Sequence, residues 1–384
     1  MSWRHSALVA KTNNMQKDWY TIDNTSEVDS PALVVYPARA KENIRIVKDF
    51  VNNEVARLRP HVKTHKSSEI SKLLIEEGIT KFKCATIAEA EMLALADAPD
   101  VLFAYQPVGP KANRFISLIK KYPSTRFSCL IDNIASAKYL SAIAEKENGI
   151  ISVYIDVNVG MNRTGILPEQ ALQLYEECQS LKGITIVGLH AYDGHLRDSD
   201  FTMRTQKCEE GFKHVEALHA NIMKRYEINL IIVAGGTPTF PIHAKRKNAE
   251  CSPGTFIYWD KGYEQTLKEQ PYLFAALVIT RVISKPTADT ITVDLGHKNI
   301  ASENPIVYRV TFLNAPDAQP IGQSEEHLVL KVDQPENYNI GDVLYGIPYH
   351  ICPTVALHDR VTIVENGKAI TTWTTLARNR IINV

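Results

Sequence analysis

The chain has two textures, set by the spacing of its apolar residues. Short apolar runs occupy residues 32–36, 57–63, 82–86, 101–105, 126–132, 151–157, 184–190 and 230–234. Most are rich in Val, Ile and Phe, the composition of strands buried on both faces of a parallel sheet. Between them, segments 38–52, 67–77, 87–97, 111–121, 134–147, 168–181 and 202–225 place apolar residues at helical spacing. Pro168 stands near the start of its segment, a favoured position for proline. Eight strands alternating with helices predict an α/β fold, a closed (β/α)8 TIM-like barrel, because right-handed crossovers keep successive strands adjacent. An open doubly wound sheet is the alternative, weakened because no GxGxxG follows the first run.

After about residue 270 the helical period disappears. Runs 273–284, 290–294, 306–313, 327–332, 343–347 and 360–365 alternate or are β-branched. Glu365-Asn366-Gly367-Lys368 reads as a hairpin turn. The pattern predicts a second, smaller, mostly antiparallel β domain, joined by residues 19–22 from before the first run. The expected division is 30–268 for the barrel and 17–29 plus 269–384 for the β domain.

Composition narrows the picture by exclusion. The 384 residues include 43 basic and 43 acidic side chains, so charge gives no case for nucleic acid or an anionic membrane surface. No apolar run approaches the roughly 18 residues of a membrane span. Residues 1–17 carry charge, lack the apolar stretch of a secretory signal and read as a frayed extension. The six cysteines are scattered without a CxxC pair and read as reduced thiols of a cytoplasmic protein.

Candidate chemistry begins at Arg59-Pro60-His61-Val62-Lys63-Thr64-His65-Lys66. A lysine leaving a barrel strand can form a Schiff base where its surroundings favour the free amine. A solvated basic strand end is the alternative reading. Polar and glycine residues crowd the ends of the later runs, at 156–165, at 188–195 and at Gly235-Gly236-Thr237. Glycines after late barrel strands expose backbone N–H groups to a phosphate, and Ser252-Pro253-Gly254-Thr255 offers a second wall. Strand-end lysine and anion cradle together outline a pyridoxal phosphate site. In the β domain, His350 and Cys352 are two apart, which on an extended strand turns both to one face. Imidazole plus thiolate suits a borderline ion such as zinc, and a buried His and Cys in a β core is the alternative.

The lysine segment, together with Pro348-Tyr349-His350-Ile351-Cys352-Pro353-Thr354, resembles the D-threonine aldolase and D-serine dehydratase group. These are fold-type III pyridoxal phosphate enzymes related to alanine racemase, and the resemblance runs from about residue 17 to the end. It implies that Lys63 holds the cofactor aldehyde, with His61 beside it. Arg163 would lie at the ring nitrogen and keep it unprotonated, because like charges in contact repel. Tyr192 matches an active-site tyrosine, and His195 is a candidate base by position, with a supporting hydrogen bond as its alternative role. Gly235, Gly236, Thr237, Gly254 and Thr255 match the phosphate loops. His350 and Cys352 match the ligands of a divalent metal, zinc or manganese.

The resemblance further implies a homodimer acting on small D-amino acids. A metal that polarises the substrate β-hydroxyl serves two reactions. Retro-aldol cleavage gives glycine and an aldehyde, whereas loss of the hydroxyl gives a 2-oxo acid and ammonia. His-x-Cys is the form associated with the dehydratases, while His358-Asp359 resembles the aldolases. Aldolase is the leading expectation and dehydratase the alternative. A racemase needs no metal, so the His350/Cys352 pair argues against it.

Overall fold

The computed structural model describes residues 18–384. The extension expected over residues 1–17 lies outside the described residues. The first apolar run forms β1 (Ala32–Val35), followed by α1 (Pro37–Phe50) and α2 (Ser68–Glu76). Seven parallel strands then make one sheet in sequence order. They are β2 (Lys81–Cys84), β3 (Asp100–Phe103), β4 (Arg126–Ile131), β5 (Ile151–Asp156), β6 (Ile184–Ala191), β7 (Ile231–Ala234) and β8 (Ala249–Cys251). Helices α3 (Ile87–Leu95), α4 (Pro110–Lys121), α5 (Ile134–Lys146), α6 (Pro168–Cys178) and α7 (Phe201–Tyr226) connect β2 to β7, and α8 (Phe240–His243) precedes β8. Side-chain caps start several helices at the strands' carboxyl ends. Thr86 accepts from Glu89 N at 3.0 Å and Asn133 from Ser136 N at 2.8 Å.

The barrel exists, but its first and last staves differ from expectation. β1 pairs antiparallel with a strand of the second sheet and contributes nothing to the barrel. The expected second strand, 57–63, becomes a 3-10 turn at Val55–Arg57 and then an extended segment that closes the seven strands. Arg59 N donates to Cys251 O (2.8 Å) and His61 N to Pro253 O (2.9 Å), while Val62 N donates to Lys83 O (2.9 Å) and Lys83 N to Pro60 O (2.8 Å). Pro60 and Pro253 lack N–H groups, so no continuous ladder forms and only isolated bridges remain. The eighth stave is β8, and the Gly235-Gly236-Thr237 loop therefore follows β7.

Alternation sorts the barrel strands cleanly. Phe82, Cys84, Val101, Phe103, Cys129, Ile155 and Leu189 join the core beneath the helices. The opposite parity fills the lumen. Leu102, Leu130, Tyr154 and Val233 form an apolar middle. At one end of the lumen, the buried Arg59 guanidinium pairs with Asp100 (2.6 Å) and Glu250 (2.7 Å). At the carboxyl end stand His61, Lys83, Asp156 and His190, with His61 opposite Lys83 and Asp156 opposite His190 in register.

After α9 (Lys261–Thr266), the second sheet comprises β9 (Ala276–Thr287), β10 (Thr290–Val293), β11 (Val310–Phe312), β12 (Gln319–Gln323), β13 (Leu328–Lys331), β14 (Val343–Pro348), β15 (Arg360–Glu365) and β16 (Lys368–Thr374). With β1 it forms a nine-stranded sheet, antiparallel except for the β1–β15 pair. Asn366 and Gly367 both take positive φ in the expected hairpin. Ile22 packs against this sheet, its N–H donating to Tyr345 Oη at 3.1 Å. One helix, α10 (Ile351–Leu357), follows β14 and was not expected.

Candidate active site

Lys63 is fixed by its neighbours on the closing stave. Its N–H donates to His61 Nδ1 at 3.1 Å, and Lys66 N closes the turn on Val62 O at 3.0 Å. Lys66 takes positive φ and pairs with buried Glu89. His65 accepts from Ser67 N at 3.2 Å, and burial pushes its pKa down to about 3, so it stays neutral. Burial also holds His61 well below its ordinary value, aided by the charges of Lys63 and Lys83. His61, His65 and Lys66 thus shape the turn that presents Lys63.

Lys63 faces a cavity of about 460 Å³ shared with His61, Lys83, Gln106, Arg163, His190 and Tyr192. The volume falls within the range of roughly 300–1,000 Å³ usual for small-molecule sites. The Tyr192 ring is its hub. Lys63 Nζ stands 6.0 Å from the ring centre, Lys83 Nζ 5.4 Å and the Arg163 guanidinium 5.0 Å. A Cβ on Gly236 would fall 2.8 Å from this ring and one on Gly194 2.2 Å from Tyr192 Oη, so both glycines make room for it. Asp156 accepts from Gln106 (3.0 Å) and bonds His190 Nδ1 (2.7 Å). Burial opposes ionisation of Asp156, but the His190 contact outweighs it and keeps the carboxylate charged. His190 Nε2 is buried with no partner.

The two expected phosphate loops meet. Thr237 Oγ1 accepts from Gly254 N and Thr255 N, both at 3.2 Å. Gly254 also packs on the lysine stave, where a Cβ would lie 2.9 Å from His61 O. Gly235 adopts positive φ.

His350 and Cys352 are brought together by a route other than the one expected. The strand ends at Pro348; His350, still extended, is the N-cap residue of α10 and Cys352 sits in its first turn, so the strand-to-helix junction, not alternation along a strand, makes them neighbours. Cys352 Sγ lies 3.1 Å from Thr64 Oγ1, one residue beyond Lys63, and 3.8 Å from Thr255 Oγ1. Burial opposes ionisation of Cys352, yet its hydrogen bond to His350 and the Lys63 charge hold the thiol below its ordinary value. Against burial, the Cys352 contact and Glu303 raise His350 to about 9. A thiolate beside an imidazole suits a divalent ion of the zinc type, and Glu303 bonds His350 Nδ1 and orients the ring.

His195 is not among the cavity residues. Its side chain is exposed and rests on Gly160, where a Cβ would come within 3.1 Å of its Nε2. Sequence reasoning missed Lys83, His190 and Gln106 as cavity residues. It also missed a buried group behind Tyr192, where Asp193 bonds Thr239 Oγ1 (2.6 Å) and His243 Nε2 (2.8 Å), with Cys208 Sγ at 3.5 Å. This group ties the loop after β6 to the loop after β7.

Fold and site together define an α/β-barrel protein with a small-molecule cavity at the strands' carboxyl ends, joined to a second, mostly antiparallel β sheet. The chain belongs to the family described as alanine racemase, N-terminal domain, which matches residues 35–261. Residues 275–364 match a putative serine dehydratase domain. Among curated relatives, a D-threonine aldolase of an Arthrobacter species is 26% identical over 367 residues, covering 93% of this chain and 94% of that protein. A 3-hydroxy-D-aspartate aldolase of Paracoccus denitrificans (strain Pd 1222) is 25% identical over 370 residues, covering 92% and 93%. Among solved structures, D-threonine aldolase from Filomicrobium marinum superposes with a TM-score of 0.82 at 24% identity, covering 91% of this chain and 96% of that one. The resemblance read from the lysine and His-x-Cys motifs is borne out.

The cavity fits pyridoxal phosphate. Lys63 would take its aldehyde, Arg163 and His190 would meet the ring, and the loops at Gly236, Thr237, Gly254 and Thr255 would hold the phosphate. His190 Nε2 is buried with no hydrogen-bond partner among the described residues, and the Lys83 amine meets only Gly235 O, at 3.5 Å.

Proposed function

We propose that this chain is a pyridoxal phosphate- and divalent-metal-dependent lyase that cleaves D-3-hydroxy amino acids to glycine and an aldehyde. The observation that carries the reading is the 3.1 Å contact between Cys352 and Thr64, which seats the His350/Cys352 pair one residue from Lys63. The bound cofactor supplies an electron sink at the substrate α-carbon. Lys63 presents its amine to that site, and Tyr192 walls it. His350 and Cys352 would hold zinc or manganese, which polarises the substrate hydroxyl.

A second reading is dehydration to a 2-oxo acid and ammonia, and His195 favours it. This candidate base for the hydroxyl proton lies outside the cavity, whereas Lys63 lies inside, where an α-proton is within its compass. The enzyme would work as a homodimer in the cytoplasm. Six free cysteines support that compartment, and no helix among the described residues is long and apolar enough to cross a membrane.

Product analysis with D-threonine tests the assignment. Glycine and acetaldehyde are expected; 2-oxobutanoate would move the enzyme to the second reading. A chelator, or Cys352→Ala, should remove either activity by more than about 100-fold, the scale of several kcal/mol of metal assistance. Turnover unaffected by both would refute the metal role.

A further inference from the structure

Lys83 is the anomaly of the cavity. It lies at an inward position of β2, is 2% exposed and reaches across the lumen. Its amine meets only Gly235 O, at 3.5 Å, and among the described residues no carboxylate lies within ion-pair distance. Other cations of the barrel have counter-charges: Arg59 pairs with Asp100 and Glu250, Lys81 with Glu250, and Lys66 with Glu89. A buried ammonium without a counter-charge is costly unless a ligand supplies the charge. The amine points to where an anionic ligand would lie. It stands 5.4 Å from the centre of the Tyr192 ring, lines the same cavity as Lys63, and ends at the loop that opens the phosphate cradle.

We propose that Lys83 is a second cofactor-binding amine, which holds an anionic oxygen of pyridoxal phosphate from the floor of the cavity while Lys63 holds the aldehyde. The inference rests on the cofactor reading above. Two oxygens have the required chemistry, the ring phenolate and the phosphate. Burial also favours the neutral form of this amine, drawing its pKa down to about 7 with help from the Lys63 charge. An anion seated against it would restore the charge.

The test measures cofactor binding to the full-length, cofactor-stripped protein, not turnover. Lys83→Met and Lys83→Gln should each raise the Kd for pyridoxal phosphate on the order of 10- to 100-fold, the scale of one charge-assisted hydrogen bond. Their melting temperatures without cofactor should match or exceed wild type. Equal weakening of pyridoxal, which lacks the phosphate, assigns the phenolate. Weakening of pyridoxal phosphate and inorganic phosphate, with pyridoxal unchanged, assigns the phosphate. Affinity within twofold of wild type in both variants overturns the role of Lys83 and leaves the cofactor reading standing. Lost affinity with a lowered melting temperature in both variants marks a structural role and likewise overturns it. Failure of the wild-type chain to bind the cofactor overturns both.

Discussion

A buried charge reports on itself through pH. Lys83 titrates near 10.5 in an unfolded chain and near 7 in the folded protein, because burial and the Lys63 charge outweigh the attraction of Asp193 and Asp156. The folded protein therefore loses its proton first. Below pH 7 the full cost of burying the ammonium weighs on the fold; between 7 and 10.5 it is progressively relieved. Lys83→Met should accordingly stabilise the cofactor-free protein by a few kcal/mol, about 1.4 kcal/mol per pH unit of separation. Urea unfolding should show the largest gain at pH 6 and near equality with wild type at pH 10. A gain independent of pH would contradict the account. Lys83 was legible only in part. Lys81-Phe82-Lys83-Cys84 alternates, and Phe82 and Cys84 face the helices, so both lysines had to face the lumen. Apolar-run reading passes over that parity, because it counts the hydrophobic residues and not what lies between them. Tyr192, Arg163 and Lys63 were found because their motifs resemble a family, and the cavity gathers all three.

At the scale of elements, the outcome turns on staves too short or too polar to show as apolar runs. β8 has three residues, with Glu250 at its centre, so no hydrophobic run announced it. β1 does show as one, Ala-Leu-Val-Val, and was counted in the barrel although its partners lie in the other sheet. The count of eight was right while the frame was off by one. Periodicity within one strand cannot name its neighbours. α10 carried a signal that was not used: Pro353 is tolerated in a helix's first turn, where no intrahelical N–H is needed, and it sits directly after Cys352. The closing stave makes its own prediction. Gly254 approaches His61 so closely that a Cβ would stand 2.9 Å from a backbone oxygen, which cannot rotate away. Gly254→Ala should cost about 1–3 kcal/mol of stability, as overpacking does, and should weaken cofactor binding by displacing both the phosphate loop and the lysine turn. Thermal unfolding and a binding titration measure the two effects. Unchanged values in both would show that the stave and the loop are not rigidly coupled.

The whole molecule delivers chemistry from two sheets to one place. The barrel presents Lys63, Lys83, Arg163, His190 and Tyr192 in one cavity, and the β14–α10 junction brings Cys352, with His350 beside it, against Thr64, one residue from Lys63. Ties elsewhere hold the two layers together. β1 connects directly to α1 yet pairs in the second sheet, and the backbone N–H groups of Asn383 and Val384 donate to Glu91 on α3. Barrel plus β sheet was readable from the loss of helical period after residue 270. The site's convergence was not, because Lys63 and Cys352 are far apart in sequence and only the fold sets them side by side. The central claim is that Lys63, presented by the closing stave, is the residue that carries the cofactor. Borohydride reduction of the cofactor-loaded protein, followed by peptide mass mapping, tests it most directly. The account predicts a single pyridoxyl adduct on Lys63 and none on Lys83; an adduct on any other lysine, or no adduct in protein that retains bound cofactor, would contradict it.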